Sequence, residues 1–178
     1  LCQSKYPNYL TIVVDNGSTD NSVFAIRKAF PQIPLLCNTA NLGFAGGCNI
    51  GIKAALEKKA DWLLLLNNDM VPKKDFLENF IKTAAQYPQA AIFGGLILQY
   101  YAPDYIDHIG GFFNPQKCEY ESFGNQQLLN KKEPPLPQPV DFVCGGLMFF
   151  KASAIDQIGY LAEKFFLYWE DTDFCSRA

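Results

Sequence analysis

The stretch Trp62-Leu63-Leu64-Leu65-Leu66-Asn67-Asn68-Asp69-Met70-Val71-Pro72 decides how this chain folds. A short, unbroken apolar run of this kind reads as a strand buried on both faces, the sort that sits in the middle of a parallel sheet with helices on either side. It stops without a spacer. Asn67, Asn68 and Asp69 therefore stand at the rim of a sheet, where open α/β folds hold their ligands. One carboxylate supplies too few oxygens to cage Mg2+ or Mn2+, but a diphosphate ligand would supply the rest. A polar turn that merely ends a core strand fits the same residues equally well. The rest of the chain has to choose.

Upstream, the apolar run Leu10 to Val14 predicts a strand that breaks at Asp15-Asn16-Gly17-Ser18-Thr19-Asp20, a cluster of turn formers and helix caps. Val23, Ala25, Ile26, Ala29 and Phe30 follow at helical spacing, closed off by Pro31 and Pro34. Leu35 to Cys37 reads as a second short strand. The segment Asn38 to Asn49 comes next, with glycines at 43, 46 and 47, and a helix beginning near Ala45 would aim free N–H groups at a phosphate. The glycines match neither G-x-G-x-x-G nor a P-loop.

Downstream, Asp75 stands at the cap of a helix with an apolar stripe through Phe76, Leu77, Phe80, Ile81, Ala84 and Ala85. Ala90 to Leu98 predicts a further buried strand. Strands and helices in alternation argue for a three-layer α/β fold with a mostly parallel sheet. Residues 99–139 break that pattern. They are rich in Tyr, Pro, Asn and Gln, and the run from Lys131 to Pro139 reads as extended or loose, so the segment is an excursion from a single domain spanning 1–178. The one histidine, His108, falls inside it, where a surface or capping role is favoured over a ligand or acid–base role.

Val140 to Phe150 restores core character around Gly145-Gly146, a pair that fits either close packing or clearance for a sugar, with packing ahead. Lys151 to Ile158 predicts a short helix ended by Gly159. The aromatic run Phe165-Phe166-Leu167-Tyr168-Trp169 reads as a strand delivering Glu170, Asp171 and Asp173. Carboxylates crowded against rings tend to hold their protons more tightly, which suits a general base. Asp173 is expected to pair with Arg177 at i, i+4, and helix capping would account equally for Glu170 and Asp171.

The bulk properties narrow the field. A chain of 178 residues, 49% hydrophobic and 19% charged, fits one globular domain, and a net charge of -3 offers no basic field for nucleic acid. No apolar run reaches the roughly 20 residues that span a bilayer, and no leader is legible, so the expected location is cytoplasmic. The cysteines at 2, 37, 48, 118, 144 and 175 show no CxxC spacing and read as reduced, buried thiols.

Four blocks, in this order, resemble the glycosyltransferase family 2 pattern, most closely its rhamnosyltransferase-like branch. They are Val13 to Asp20, Asn41 to Gly51, Leu66 to Asp69, and Phe166 to Asp173 with Arg177. The resemblance implies the glycosyltransferase type A (GT-A) fold. It implies that Asp15 hydrogen-bonds the nucleotide base and that Asn16, Ser18, Asn41, Gly43, Asn49, Asn67 and Asn68 line the nucleotide sugar. Asn67 and Asp69 take the ends of the family's DXD motif, with Asp69 binding Mn2+ or Mg2+. Asn67 keeps an acceptor for a hydroxyl but lacks the charge of the usual first Asp.

Asp171 matches the family's catalytic base and Glu170 its supporting neighbour. The implied reaction is inverting transfer from a nucleoside-diphosphate sugar to a glycan or lipid-linked acceptor in bacterial surface polysaccharide synthesis. The implied setting is the cytoplasmic face of the inner membrane, with peripheral association through segments beyond this chain. Against the family pattern the sequence starts in the tail of the first helix, so it is expected to lack the first strand and a C-terminal part. The competing readings are a truncated nucleotide-sugar or glycan-binding module without turnover and, on a similar sheet, a sugar-phosphate nucleotidyltransferase.

Overall fold

The computed structural model describes residues 4–133 and 135–178. Cys2, and Pro134 within the run from Lys131 to Pro139, lie outside them. The chain opens with a strand, β1 (Val13–Asp15), a helix, α1 (Ser22–Ala29), and a second strand, β2 (Leu35–Cys37), parallel to the first with Asp15 opposite Cys37. Helix α2 (Gly43–Glu57) then packs across β1 and the strand β3 (Trp62–Leu66). Helix α3 (Phe76–Gln86) carries the chain to β4 (Ile92–Gly94). Asp75 takes the N-cap position of α3, but its side chain makes no capping hydrogen bond.

The alternation of strands and helices survives, while the directions within the sheet do not all follow from it. The five-residue strand β9 (Leu147–Lys151) lies between β3 and β4 and runs antiparallel to both. Among the described residues the parallel ladder is β1 with β2, so the sheet is less parallel than the chain order implies. The physical reason is the route. A right-handed helical crossover forces β3 and β4 to point the same way, but β9 arrives from a long excursion that imposes no direction.

The expected strand from Ala90 to Leu98 is split at Gly94-Gly95 into β4 and β5 (Ile97–Leu98). The excursion is more regular than a loop: β6 (Ile106–His108) pairs with β5, and β7 (Gly111–Asn114) with β8 (Glu119–Ser122) forms a hairpin. An Asx turn closes that hairpin, with Asn114 Oδ1 accepting from the backbone of Gln116 at 3.0 Å and Lys117 at 3.3 Å.

The core explains why the last elements sit where they do. Met148 and Phe150 of β9 are fully buried, and the Phe150 ring meets Phe174 edge-on at 5.2 Å. That contact seats the terminal helix α5 (Glu170–Ser176) on the sheet. Helix α4 (Ala154–Ile158) adds Ala154 and Ile155 to the same cluster and ends at Gly159, whose φ of 76° and ψ of -168° form a backbone conformation open essentially to glycine alone. On the other face of β9, Trp62 stacks on Phe149 at 4.7 Å and 8°. Cys37 and Cys118 are exposed rather than buried, the one on an outer strand and the other in the hairpin turn, and all five described cysteines are free.

Candidate active site

Strand β1 ends in Asp15, which is buried, and the Ser18 N–H donates to its Oδ2 at 3.1 Å. Asn16 holds the glycine loop together. Its Nδ2 donates to Gly43 O at 2.8 Å and Asn41 Oδ1 at 3.0 Å, while its Oδ1 accepts from Asn38 Nδ2 at 3.0 Å and Leu42 N at 3.1 Å. Asn41 Oδ1 also accepts the Gly43 N–H at 2.9 Å. Such a network fixes the start of α2, two residues earlier than expected, and its first two N–H groups are not free for a phosphate: Gly43 donates to Asn41 and Phe44 to the Phe166 carbonyl.

Gly43 sits at φ 74°, and a Cβ there would overlap the Phe166 carbonyl, which accepts the Phe44 N–H at 2.8 Å. The glycine loop and the aromatic run from 165 to 169 are therefore in direct contact. That run is not a strand. It is a series of bends ending in Tyr168 and Trp169, both in the left-handed region at φ 69° and 73°. An aromatic run without alternation carries no sign of that reversal.

The decisive juxtaposition lies at Gly145-Gly146. The Asn67 N–H, just past the end of β3, donates to Gly146 O at 2.9 Å, and the Gly145 N–H donates to Asp171 Oδ2 at 2.9 Å. Two neighbouring glycines thus tie the Asn67-Asn68-Asp69 rim to the first turn of α5. A Cβ at Gly146 would come within 2.9 Å of Asn67 Nδ2, and one at Gly145 within 3.1 Å of Asp171 Cβ. The glycines are there because the two acid-bearing segments leave no room between them. The sequence flagged the pair for packing, and the hydrogen bond from Gly145 to Asp171 went unread because it spans 26 residues.

Asp171 Oδ1 accepts the Thr172 N–H at 2.7 Å, so the carboxylate is fixed at both oxygens. Glu170 is only 4% exposed, and its Oε2 has no hydrogen-bond partner. Burial, chiefly, and then the neighbouring Asp171 charge raise its carboxyl above the usual range. Burial also pushes the Cys48 thiol up to about 12, with Glu170 adding to the effect. Cys144 is raised by burial and by Asp171, and Cys175 goes to about 11 for the same reasons. His108 is lowered by burial, against the pull of Asp171 and Asp107, and its Nδ1 accepts the Gly110 N–H at 3.0 Å. It behaves as the local turn cap the sequence favoured, although its ring reaches the field of Asp171.

Asn49 is placed differently from the other polar residues of the loop. It is 2% exposed and its amide is occupied, donating to Leu161 O and Glu163 Oε1 at 2.9 Å each and accepting the Leu161 N–H at 3.1 Å. It pins α2 to the segment before the aromatic run, with both amide hydrogens taken and the side chain buried from solvent. Asp173 pairs with Arg177 as expected, at 2.9 Å, and Arg177 also donates to the Ile158 and Tyr160 carbonyls.

Asn68 and Asp69 are exposed at the rim, in a turn in which the Met70 N–H donates to Asn67 O at 3.3 Å. Among the described residues no group of three or more acidic, histidine or cysteine side chains could hold a metal ion. One carboxylate at an open rim fits a cation shared with a diphosphate and does not fit a protein cage.

The model of the family described as glycosyl transferase family 2 matches residues 1–159. The chain belongs to that family. The family 2 match ends before α5. A low-salt glycan biosynthesis hexosyltransferase of Haloferax volcanii is 32% identical over 94% of this chain and 52% of its own length. An N-acetylglucosaminyl-diphospho-decaprenol L-rhamnosyltransferase of Mycobacterium tuberculosis is 25% identical over 93% of this chain and 59% of its own. This family 2 chain thus spans little more than half the length of these relatives. Among solved structures, a mannosyltransferase from Pyrobaculum calidifontis, in complex with GDP-Man and Mn2+, superposes with a TM-score of 0.61 at 17% identity, over 97% of this chain and 43% of its own. The fold is GT-A.

Proposed function

We propose that this chain forms the donor and base-bearing part of an inverting glycosyltransferase. It would move a hexose or deoxyhexose from a nucleoside-diphosphate sugar to a hydroxyl of a glycan or lipid-linked acceptor, such as an N-acetylglucosaminyl diphospho-lipid, in surface polysaccharide assembly. The observation that supports the reading is the Gly145-Gly146 link, which ties the strand end that carries Asp69 to the first turn of α5 that carries Asp171. Donor recognition falls to Asp15 for the base and to the Asn16, Ser18, Asn41 and Gly43 corner for the nucleotide sugar. Asn67 and Asn68 face the ribose and sugar. Asn49, buried with both amide hydrogens already bonded, stands outside that set.

Asp171 accepts the proton of the acceptor hydroxyl as that oxygen bonds to the anomeric carbon on the face opposite the nucleoside diphosphate. The bond from the anomeric carbon to the phosphate oxygen breaks, the diphosphate departs with the electron pair, and Asp171 is left protonated. Asp69 would hold a divalent ion together with the donor, and that ion would neutralise charge at the diphosphate. The Gly145 and Thr172 N–H groups hold the Asp171 carboxylate in place throughout.

The test uses the full-length enzyme. Asp69→Ala is expected to abolish metal-dependent donor binding in titration calorimetry with UDP-, GDP- and dTDP-sugars and Mn2+. Asp171→Asn should keep donor affinity and lose about 10^2- to 10^4-fold in transfer rate. Transfer at the wild-type rate in Asp171→Asn, or unchanged metal-assisted affinity in Asp69→Ala, would overturn the assignment.

A further inference from the structure

The segment just before Glu170 is strained without any visible return in burial. Tyr168 and Trp169 are adjacent non-glycine residues in the left-handed region, at φ 69° and 73°. Non-glycine residues seldom adopt that conformation, and bulky side chains are rare there. Yet Tyr168 is 71% exposed and Trp169 56% exposed, so packing does not offset the strain. Strain that the fold tolerates beside a reactive group points to a fixed placement that matters for function.

What the strain secures is the mounting of one ring. Trp169 meets Tyr120 of the hairpin at 6.1 Å and 60°. Tyr120 is itself immobilised: its hydroxyl shares a 3.0 Å hydrogen bond with Ser176 Oγ, and its ring meets Phe142 at 5.3 Å and Phe113 at 5.0 Å. The Trp169 carbonyl accepts the Asp173 N–H at 2.8 Å, locking its backbone to the first turn of α5. An indole is thus held rigid with part of its surface in solvent, two positions before Asp171.

A pyranose has a face of C–H groups and an edge of hydroxyls. Aromatic rings take the face, and a carboxylate takes a proton from the edge. Resting on the reading of Asp171 as the base, we propose that Trp169 is the acceptor platform. The terminal sugar of the acceptor stacks on the free surface of the indole, which leaves the hydroxyls of that sugar free to meet Asp171. Tyr120 is a positioning residue for the platform, so the hairpin contributes to acceptor choice without touching the donor.

The test uses full-length enzyme carrying Trp169→Asn or Trp169→Phe. Asparagine tolerates a left-handed backbone, so the first variant removes the ring without adding strain; the second keeps a ring. The probes are octyl pyranosides of glucose, galactose, mannose and N-acetylglucosamine, with octanol as the sugar-free control. At least one pyranoside should produce a quench of wild-type tryptophan fluorescence that is missing in Trp169→Asn; Trp62, the other tryptophan of these 178 residues, is stacked on Phe149. In transfer assays Trp169→Asn should raise the acceptor KM about tenfold, the scale of one stacking contact, with kcat and donor Kd within about twofold. Trp169→Phe should recover most of the loss.

An unchanged acceptor KM in Trp169→Asn overturns the platform, as does quenching by no pyranoside. Equal quenching by octanol would reassign the ring to the lipid, and a parallel loss of donor affinity would reassign it to the nucleotide. If the wild-type enzyme binds no nucleotide sugar at all, the glycosyltransferase reading fails first and the platform falls with it.

Discussion

Adding a single methyl group at Gly145 is the sharpest probe of how the proposed base is held. A Cβ built there lies 3.1 Å from Asp171 Cβ, 3.2 Å from Phe44 Cε1 and 3.4 Å from Asp171 Oδ2. Relaxed carbon contacts lie at about 3.5 to 4.0 Å, so roughly half an ångström has to be found. Phe44 yields poorly, because its side chain packs against the buried core cluster. Asp171 therefore moves, and the 2.9 Å bond from the Gly145 N–H is lengthened. Overpacking of this kind costs about 1 to 3 kcal/mol, which for a chain of this size lowers Tm by about 2 to 12 °C. A displacement of 1 Å at a reacting group can cost about 100-fold, so half of that predicts about a tenfold fall in kcat.

The assay is steady-state transfer by full-length Gly145→Ala, with donor Kd from calorimetry and Tm from scanning fluorimetry. The expected pattern is a lower kcat with donor affinity kept within about twofold. Gly146→Ala is the matched control, since its Cβ would press on Asn67 Nδ2 and Met70 Cε, both at 2.9 Å, and so disturb the donor side. A folded Gly145→Ala enzyme with wild-type kcat would refute the geometric argument. A loss of donor binding equal to the loss in rate would refute it as well.

Two further outcomes follow from burial. Asn49→Ala strands the Leu161 N–H and carbonyl, so it should cost about 2 to 4 kcal/mol in urea unfolding while leaving donor Kd unchanged; a donor defect without instability would return Asn49 to the binding site. For Glu170, whose folded carboxyl is raised by burial, the native state binds more protons than the unfolded chain between the ordinary carboxylate value and the raised one. Stability therefore falls as pH rises through that window. Glu170→Gln should flatten that slope in Tm measured from pH 4 to 8, and an unchanged slope would assign it to another group.

Local features were legible in the sequence. The β3 strand, the α3 stripe, the α4 stop at Gly159 and the Asp173–Arg177 pair each depend on residues a few positions apart. Long-range features were not. The direction of β9 is set by ladders to β3 and β4, and the occupation of the Asn49 amide depends on Leu161, 112 positions away. The aromatic run was misread because ring-rich segments favour strands, whereas Tyr168 and Trp169 are held in a conformation that no propensity favours. The hairpin turn did leave a signal, Asn114-Pro115, hidden within a segment whose composition argued for looseness.

The Tyr120 contact has a practical corollary for anyone redesigning such an enzyme. The hydroxyl of Tyr120 reaches Ser176 and its ring supports Trp169, so the β7–β8 hairpin and α5 are mechanically coupled despite their separation along the chain. Grafting either piece from a homologue by itself would leave the indole without its buttress. Chimeras intended to swap substrate preference should carry both parts together.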